Sequence, residues 1–183
     1  MKLQTTEGDI IEKIVFGGGC FWCVEGAMLG LKGVSNVIPG YSGGHVENPT
    51  YEQVCSKNTG HAEVVEVTFD SKIIPRRILL EVFFTCHDPT QLNRQGNDVG
   101  PQYRSVVYFK NEAEKLDIDE VIGYLQQNFE DEIVTEVSPL VNFYVAENYH
   151  HNYFANNPNN PYCAMVVSPK ISKTRAKHST LYE

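Results

Sequence analysis

Three consecutive glycines, Gly17-Gly18-Gly19, run directly into Cys20-Phe21-Trp22-Cys23, and no other segment limits the fold of this chain as strongly. Upstream, residues 13–16 (Lys-Ile-Val-Phe) read as a short buried strand. Downstream, Phe21, Val24, Met28 and Leu31 recur at helical spacing, so a helix is expected to begin near Cys20. Glycines let the backbone turn tightly between the two. The product is a strand-to-helix turn with a cysteine at the helix mouth. Backbone N–H groups there lack intrahelical partners, and the helix dipole favours an anion. Such a setting lowers a thiol pKa from about 8.5 toward about 3.5–7.5 and yields the nucleophilic thiolate. An inert buried cysteine is the alternative.

The remaining pattern alternates strands and helices. Strands are expected at 34–41, 61–69, 105–109 and 133–137. Helices are expected over 75–85, opened by Pro75, and over 146–154, stopped by Asn156-Asn157-Pro158. A third is expected over 112–128, with Leu116, Val121, Leu125 and Phe129 on its inner side. Residues 88–102, rich in Asn, Gly, Pro and Asp, read as a long loop. The class is therefore α/β or α+β, a sheet with helices packed on it.

The 183 residues suit one catalytic domain, with a core over about 13–170. Lys170, Lys173, Arg175 and Lys177 mark 171–183 as a flexible basic tail. A net charge of −8 disfavours a nucleic-acid partner. Residues 1–12 hold no apolar run of signal-peptide length, and no stretch is long enough for a membrane helix. A cytoplasmic protein with no membrane association is expected. In that compartment five cysteines point to catalysis, metal or inert burial rather than bridges.

Cys20 and Cys23 sit three apart on one helix face, close enough for a disulfide after a small adjustment, and so read as attacking and resolving thiols. A zinc site would need two further ligands at suitable spacing. Cys55, Cys86 and Cys163 stand alone, and His150-His151 lacks a partner cysteine motif, so no metal is expected. Phe21 and Trp22 are either core rings or an apolar wall for a substrate methyl group.

At Gly19-Cys20-Phe21-Trp22 the chain resembles the peptide methionine sulfoxide reductase A family. The resemblance continues in order through Gly40-Tyr41-Ser42-Gly43-Gly44, Asn48-Pro49-Thr50-Tyr51 and Thr59-Gly60-His61-Ala62-Glu63. It runs on through His87-Asp88-Pro89-Thr90, Arg94-Gln95-Gly96-Asn97-Asp98, Gln102-Tyr103-Arg104-Ser105 and Ala146-Glu147-Asn148-Tyr149-His150. Together these blocks span roughly residues 14 to 170. The resemblance implies a ferredoxin-like mixed sheet with packed helices and long irregular segments. It implies reduction of methionine S-sulfoxide, free or in oxidised proteins and peptides, with thioredoxin or dithiothreitol as external reductant and no bound cofactor. A monomer is expected. By the same resemblance Cys20 is the nucleophile, Phe21 and Trp22 hold the S-methyl group, and Glu63 protonates the sulfoxide oxygen. Tyr51 and Tyr103 give it hydrogen bonds, and Asp98 supports the site.

The chemistry suits these residue types. Oxygen leaves sulfur poorly unless protonated, and a buried carboxyl stays neutral near pH 7. Phenols donate without charge. The sulfenic acid left on Cys20 must condense with a second thiol. Family members often use cysteines in a C-terminal segment, where Cys163 stands here, and often have glycine where this chain has Cys23. Cys23 is favoured as the local resolving cysteine, with Cys163 the alternative. Cys55 and Cys86 are expected to be small buried hydrophobes. Two rivals remain at this level: a general thiol–disulfide oxidoreductase built on Cys20-x-x-Cys23, and a peptide-binding module that keeps an aromatic pocket without catalysis.

Overall fold

A valine-rich strand, β3 (Ala62–Asp70), lies inside the main sheet because Val64, Val65, Val67 and Phe69 are all buried, on both of its faces. The computed structural model describes residues 11–183, so the N-terminal stretch read for a targeting signal lies mostly outside the described residues. The strands flanking β3 are β1 (Ile11–Gly17) and β2 (Val34–Ser42). The sheet continues through β6 (Val106–Phe109) and β7 (Glu136–Pro139) on one side and β8 (Tyr144–Val145) on the other. Its order is β7-β6-β1-β3-β2-β8, antiparallel throughout except for the parallel β6–β7 pair.

Between β1 and β2 runs α1 (Phe21–Met28), and α3 (Arg76–Thr85) follows β3. The succession β1-α1-β2-β3-α3-β6 with spatial order β6-β1-β3-β2 is the ferredoxin-like arrangement that the resemblance implies. The short α2 (Tyr51–Cys55) opens with a capping box: Thr50 accepts from the Gln53 N–H and Gln53 accepts from the Thr50 N–H. Apolar side chains on the helix side of the sheet, among them Phe16, Val65, Val67 and Phe69, pack with Phe21, Met28, Leu79 and Phe83. The opposite face is smaller, with Val15, Val64, Val106 and Tyr108 covered by Leu140 and Phe143.

Five expectations are revised. The long helix α4 (Glu112–Leu125) buries Ile118 and Val121, whereas Leu116 is 57% exposed, because 116 lies about 140° from 121 around the axis. The strand expected at 133–137 lies slightly later, as β7. The loop 88–102 contains a hairpin, β4 (Arg94–Gln95) with β5 (Asp98–Val99). The helix expected over 146–154 is broken into a 3-10 turn (Asn148–His150) and the four-residue α5 (Tyr153–Asn156), since Asn152 between them is left-handed at φ 53°.

The fifth concerns the C-terminus, which is a docked helix rather than a flexible tail. A π-turn (Cys163–Val167) leads into α6 (Ser168–Lys177), whose Ile171 and Thr174 are buried while its lysines face outward or line a groove. Gly26 of α1 permits the contact, for a Cβ there would stand 2.2 Å from Ile171 Cδ1. The Tyr182 hydroxyl then donates to the Ala27 carbonyl at 2.5 Å. Ile171→Ala is expected to lower stability by about 2–4 kcal/mol, measured by urea unfolding; a loss under about 0.5 kcal/mol, the range of neutral surface changes, would mean that α6 does not stabilise the fold.

Candidate active site

The register of the sheet brings the site together. β1 ends at Gly17 beside the start of β3, where Glu63 pairs with Tyr41 of β2. Side chains alternate along a strand, so Glu63 shares the helix-side face of Val65, Val67 and Phe69 and points toward the start of α1. The loop between β1 and α1 can lie this close because Gly19 adopts φ 87° and a Cβ there would meet the Gln95 side chain at 2.7 Å. Behind Gly18 stands the His87 ring, fixed by the Phe83 carbonyl at 2.8 Å and Ser105 Oγ at 2.7 Å. Burial pushes His87 down to about 4, so it is a neutral support.

Cys20 caps α1 and is 7% exposed. Together with Trp22, Tyr51, Glu63, Asp98, Tyr103, Asn160 and Tyr162 it lines a pocket of about 310 Å³. Glu63 is 1% exposed; Oε1 accepts the Phe21 N–H at 3.2 Å. Its Oε2 is buried without a hydrogen-bond partner among the described residues. Burial raises Glu63 to about 8, so the carboxyl is protonated at neutral pH and one oxygen is left for a ligand. Burial and the nearby Glu63 also raise Tyr51 and Tyr103, which therefore remain neutral donors.

The state of Cys20 differs from the expectation of a resting thiolate. The Trp22 N–H does favour the anion, but burial, a hydrogen bond with the Cys23 side chain and the neighbouring Glu63 outweigh it and hold the pKa well above the usual thiol value. The sequence shows the helix mouth; it does not show that the mouth is closed over by packing.

Each residue singled out from sequence can now be placed. Cys20, Trp22, Glu63, Tyr51, Tyr103 and Asp98 meet at the pocket. Phe21 does not line it. Its ring is fully buried against Tyr41, Tyr51 and His150, at 5.8, 6.5 and 4.9 Å between centroids. The helical phase turns Phe21 into the core and Trp22 outward. Cys23 and Cys163 are both buried and belong with Cys20, Val167 and Ile171 to one cluster, so both resolving candidates share a cluster with Cys20. Cys86 is buried, as expected; Cys55 is half-buried and its side chain is hydrogen-bonded with that of Tyr51. Among the described residues no group of three His, Cys, Asp or Glu side chains could hold a metal ion, and no helix is long and apolar enough to cross a membrane.

Sequence reasoning missed Tyr162 and Asn160. The Tyr162 hydroxyl donates to Asp98 Oδ2, while Asn160 Oδ1 accepts the Tyr162 and Cys163 N–H groups at 3.0 and 3.2 Å. Adjacency to Cys163 was the available signal. It also missed His150, whose Nδ1 accepts the Trp22 indole N–H at 3.1 Å.

A cysteine thiol against a neutral carboxyl and uncharged phenols, with a second thiol one helical turn away, is the arrangement of a cysteine-based oxidoreductase. The chain belongs to the peptide methionine sulfoxide reductase family, whose family model matches residues 12–182. It is 53% identical to the peptide methionine sulfoxide reductase MsrA of Saccharolobus solfataricus, over 89% of this chain and 92% of that protein. The MsrA of Acinetobacter baumannii is 50% identical over 93% of this chain and 98% of its own. Among solved structures, Mxr1 of Saccharomyces cerevisiae in reduced form superposes with a TM-score of 0.80 at 32% identity, covering 88% of this chain and 94% of that one. Mxr1 has also been solved in complex with Trx2. Methionine sulfoxide reductase A of Corynebacterium diphtheriae gives 0.75 at 33% identity, covering 87% and 80%. The enzyme reduces methionine sulfoxide.

Proposed function

We propose that the 310 Å³ pocket is where the sulfoxide of a methionine S-sulfoxide binds, with Cys20 as nucleophile and Glu63 as acid. One observation carries this reading: Cys20 and a neutral Glu63 with an unpartnered, buried Oε2 line the same pocket. The sulfoxide oxygen takes hydrogen bonds from Glu63 and from the Tyr51 and Tyr103 hydroxyls. The S-methyl group lies against the Trp22 indole, with Phe21 packed behind as support rather than as wall. Asp98 positions the site through Tyr162.

The Cys20 sulfur attacks the substrate sulfur while Glu63 gives its proton to the oxygen. An S–S bond forms; the protonated oxygen then passes from the substrate sulfur to the Cys20 sulfur, so that the substrate S–O bond and the transient S–S bond break, a Cys20 S–O bond forms, the thioether departs, and Cys20 is left as a sulfenic acid. The thiol proton of Cys20 restores Glu63, so the step transfers one oxygen atom with no net proton change. Cys23 then attacks the sulfenic sulfur, water leaves, and a Cys20–Cys23 disulfide forms. Cys23 is favoured because its side chain is hydrogen-bonded to that of Cys20 in the resting site.

Thioredoxin is read as the reductant, supported by the Trx2 complex of Mxr1. Dithiothreitol replaces it in vitro, and no bound cofactor is needed. Repeated re-reduction fits a reducing compartment, and we place the enzyme in the cytoplasm as a monomer acting on oxidised proteins and peptides. Cys23→Ser is expected to lower thioredoxin-driven turnover by about tenfold or more while leaving the single-turnover yield of methionine unchanged. Mass spectrometry of wild-type enzyme after one turnover should show a Cys20–Cys23 bridge; a Cys20–Cys163 bridge would overturn the choice of Cys23. Equal turnover of the R epimer would overturn the stereochemical assignment.

A further inference from the structure

Glu25 is a carboxyl 2% exposed on α1, three residues after Trp22, and the mechanism above does not use it. Burying a carboxyl is costly unless its oxygens are satisfied. Here they are: Glu25 Oε2 accepts the Asn152 N–H at 3.1 Å, and the Tyr153 N–H is its second backbone donor. Both amides belong to the point where the chain turns from the Asn148–His150 turn into α5, at the left-handed Asn152. A four-residue helix preceded by a left-handed asparagine does not hold itself. This carboxyl ties its backbone to α1.

What the anchored segment carries is the support of the pocket residue Trp22. The Tyr153 ring stacks on Trp22 at 3.7 Å between centroids and 7° between planes. His150, two residues before the anchor, accepts the indole N–H. Two side chains from one segment thus fix Trp22, and Glu25 fixes that segment to the very helix that bears Trp22. The chain of contacts closes on itself: Trp22, Tyr153, Glu25, α1.

We propose that Glu25 is a positioning residue for sulfoxide recognition: by holding the Asn152 and Tyr153 amides it keeps the Trp22 indole in place as the wall for the substrate's methyl group. This deepens the reading of the pocket and rests on it. Glu25 touches no reacting atom, so its loss weakens binding of the sulfoxide while the oxygen-transfer step is spared.

The test exploits the single tryptophan of the chain, whose emission reports on this wall directly. Glu25→Ala, Glu25→Gln, Tyr153→Leu and Trp22→Ala are compared, with dithiothreitol as reductant and an N-blocked methionine S-sulfoxide as substrate. For Glu25→Ala, KM is expected to rise about tenfold with kcat within about twofold, as for a lost interaction made equally in ground and transition states. Trp22 emission shifts to the red and becomes more open to acrylamide quenching. Glu25→Gln, whose amide oxygen can still accept both N–H groups, restores KM to within about threefold of wild type. Tyr153→Leu, which leaves the carboxyl in place, reproduces both the KM and the emission change; should Glu25→Ala fail to fold, Glu25→Asp, whose carboxylate is one methylene short of the two amides, carries the test, with a rise in KM and a red shift expected and wild-type values of both overturning the proposal. A folded Glu25→Ala with wild-type emission overturns the proposal, as does a rise in KM without an emission change. If Trp22→Ala raises KM but Glu25→Ala does not, the anchor alone is wrong. If Trp22→Ala leaves KM unchanged, the pocket reading itself fails.

Discussion

Exchange of Cys20 for serine is expected to end methionine sulfoxide reduction, with kcat down by about 10⁴-fold or more. A hydroxyl is a poor nucleophile toward sulfur and can form neither a sulfenic acid nor a disulfide. The substitution is nearly isosteric in a site 7% exposed, so the fold should survive. Methionine released from an S-sulfoxide substrate in the presence of dithiothreitol is the measurement, with circular dichroism to confirm folding. Residual activity within about tenfold of wild type would remove Cys20 from the centre of the mechanism.

Glu63→Gln should cost about 10²–10³-fold in kcat at pH 7, the scale of positioned acid catalysis. The amide oxygen can still accept the Phe21 N–H, so the turn into α1 is kept. The pH dependence gives a sharper signature. Burial lifts Glu63 from the ordinary 4.5 to about 8, so its acid form persists to neutrality and is lost as pH rises through 8. Wild-type activity should fall above pH 8 with that group's titration, and the glutamine variant should lack that limb. Stability follows with a definite sign. Between pH 4.5 and 8 the folded chain holds a proton that the unfolded chain has released, so this group makes stability fall as pH rises, with the full penalty above 8. The variant escapes that penalty and should gain a few kcal/mol relative to wild type at pH 9 compared with pH 5. Urea midpoints at the two values decide it; a gain that is the same at both would mean that Glu63 is not buried neutral.

Much of this could be read before any coordinates. Strand periodicity placed β1, β2, β3 and β6 because one-sided and two-sided burial both leave a clear apolar record. The glycine run placed Cys20 at a helix mouth for a local reason, the steric freedom of three residues without Cβ. What failed was non-local. The helix expected over 146–154 is cut by a left-handed Asn152, which a carboxyl 127 positions earlier in the chain helps to hold. The C-terminal lysines looked like a solvated run, yet Ile171 and Tyr182 beside them bind the segment to α1. Phe21 and Trp22 are neighbours in sequence, and only the phase of α1 tells which ring faces the pocket. Tyr162 joins the site through Asp98, from the far end of the chain, and no spacing rule reaches that distance.

Of the three cysteines of the cluster, only Cys20 lines the pocket. Cys23 is 2% exposed and Cys163 fully covered, both pressed against Val167 and Ile171. An external dithiol must approach in line with the bond it cleaves. An incoming thiol can reach the sulfur of Cys23 or Cys163 only where the residues packed over them move. With the proposed Cys20–Cys23 bridge, attack at the Cys23 sulfur would draw on the contacts of Val167 and Ile171 that help hold the molecule folded, whereas attack at the Cys20 sulfur from the pocket would leave them in place.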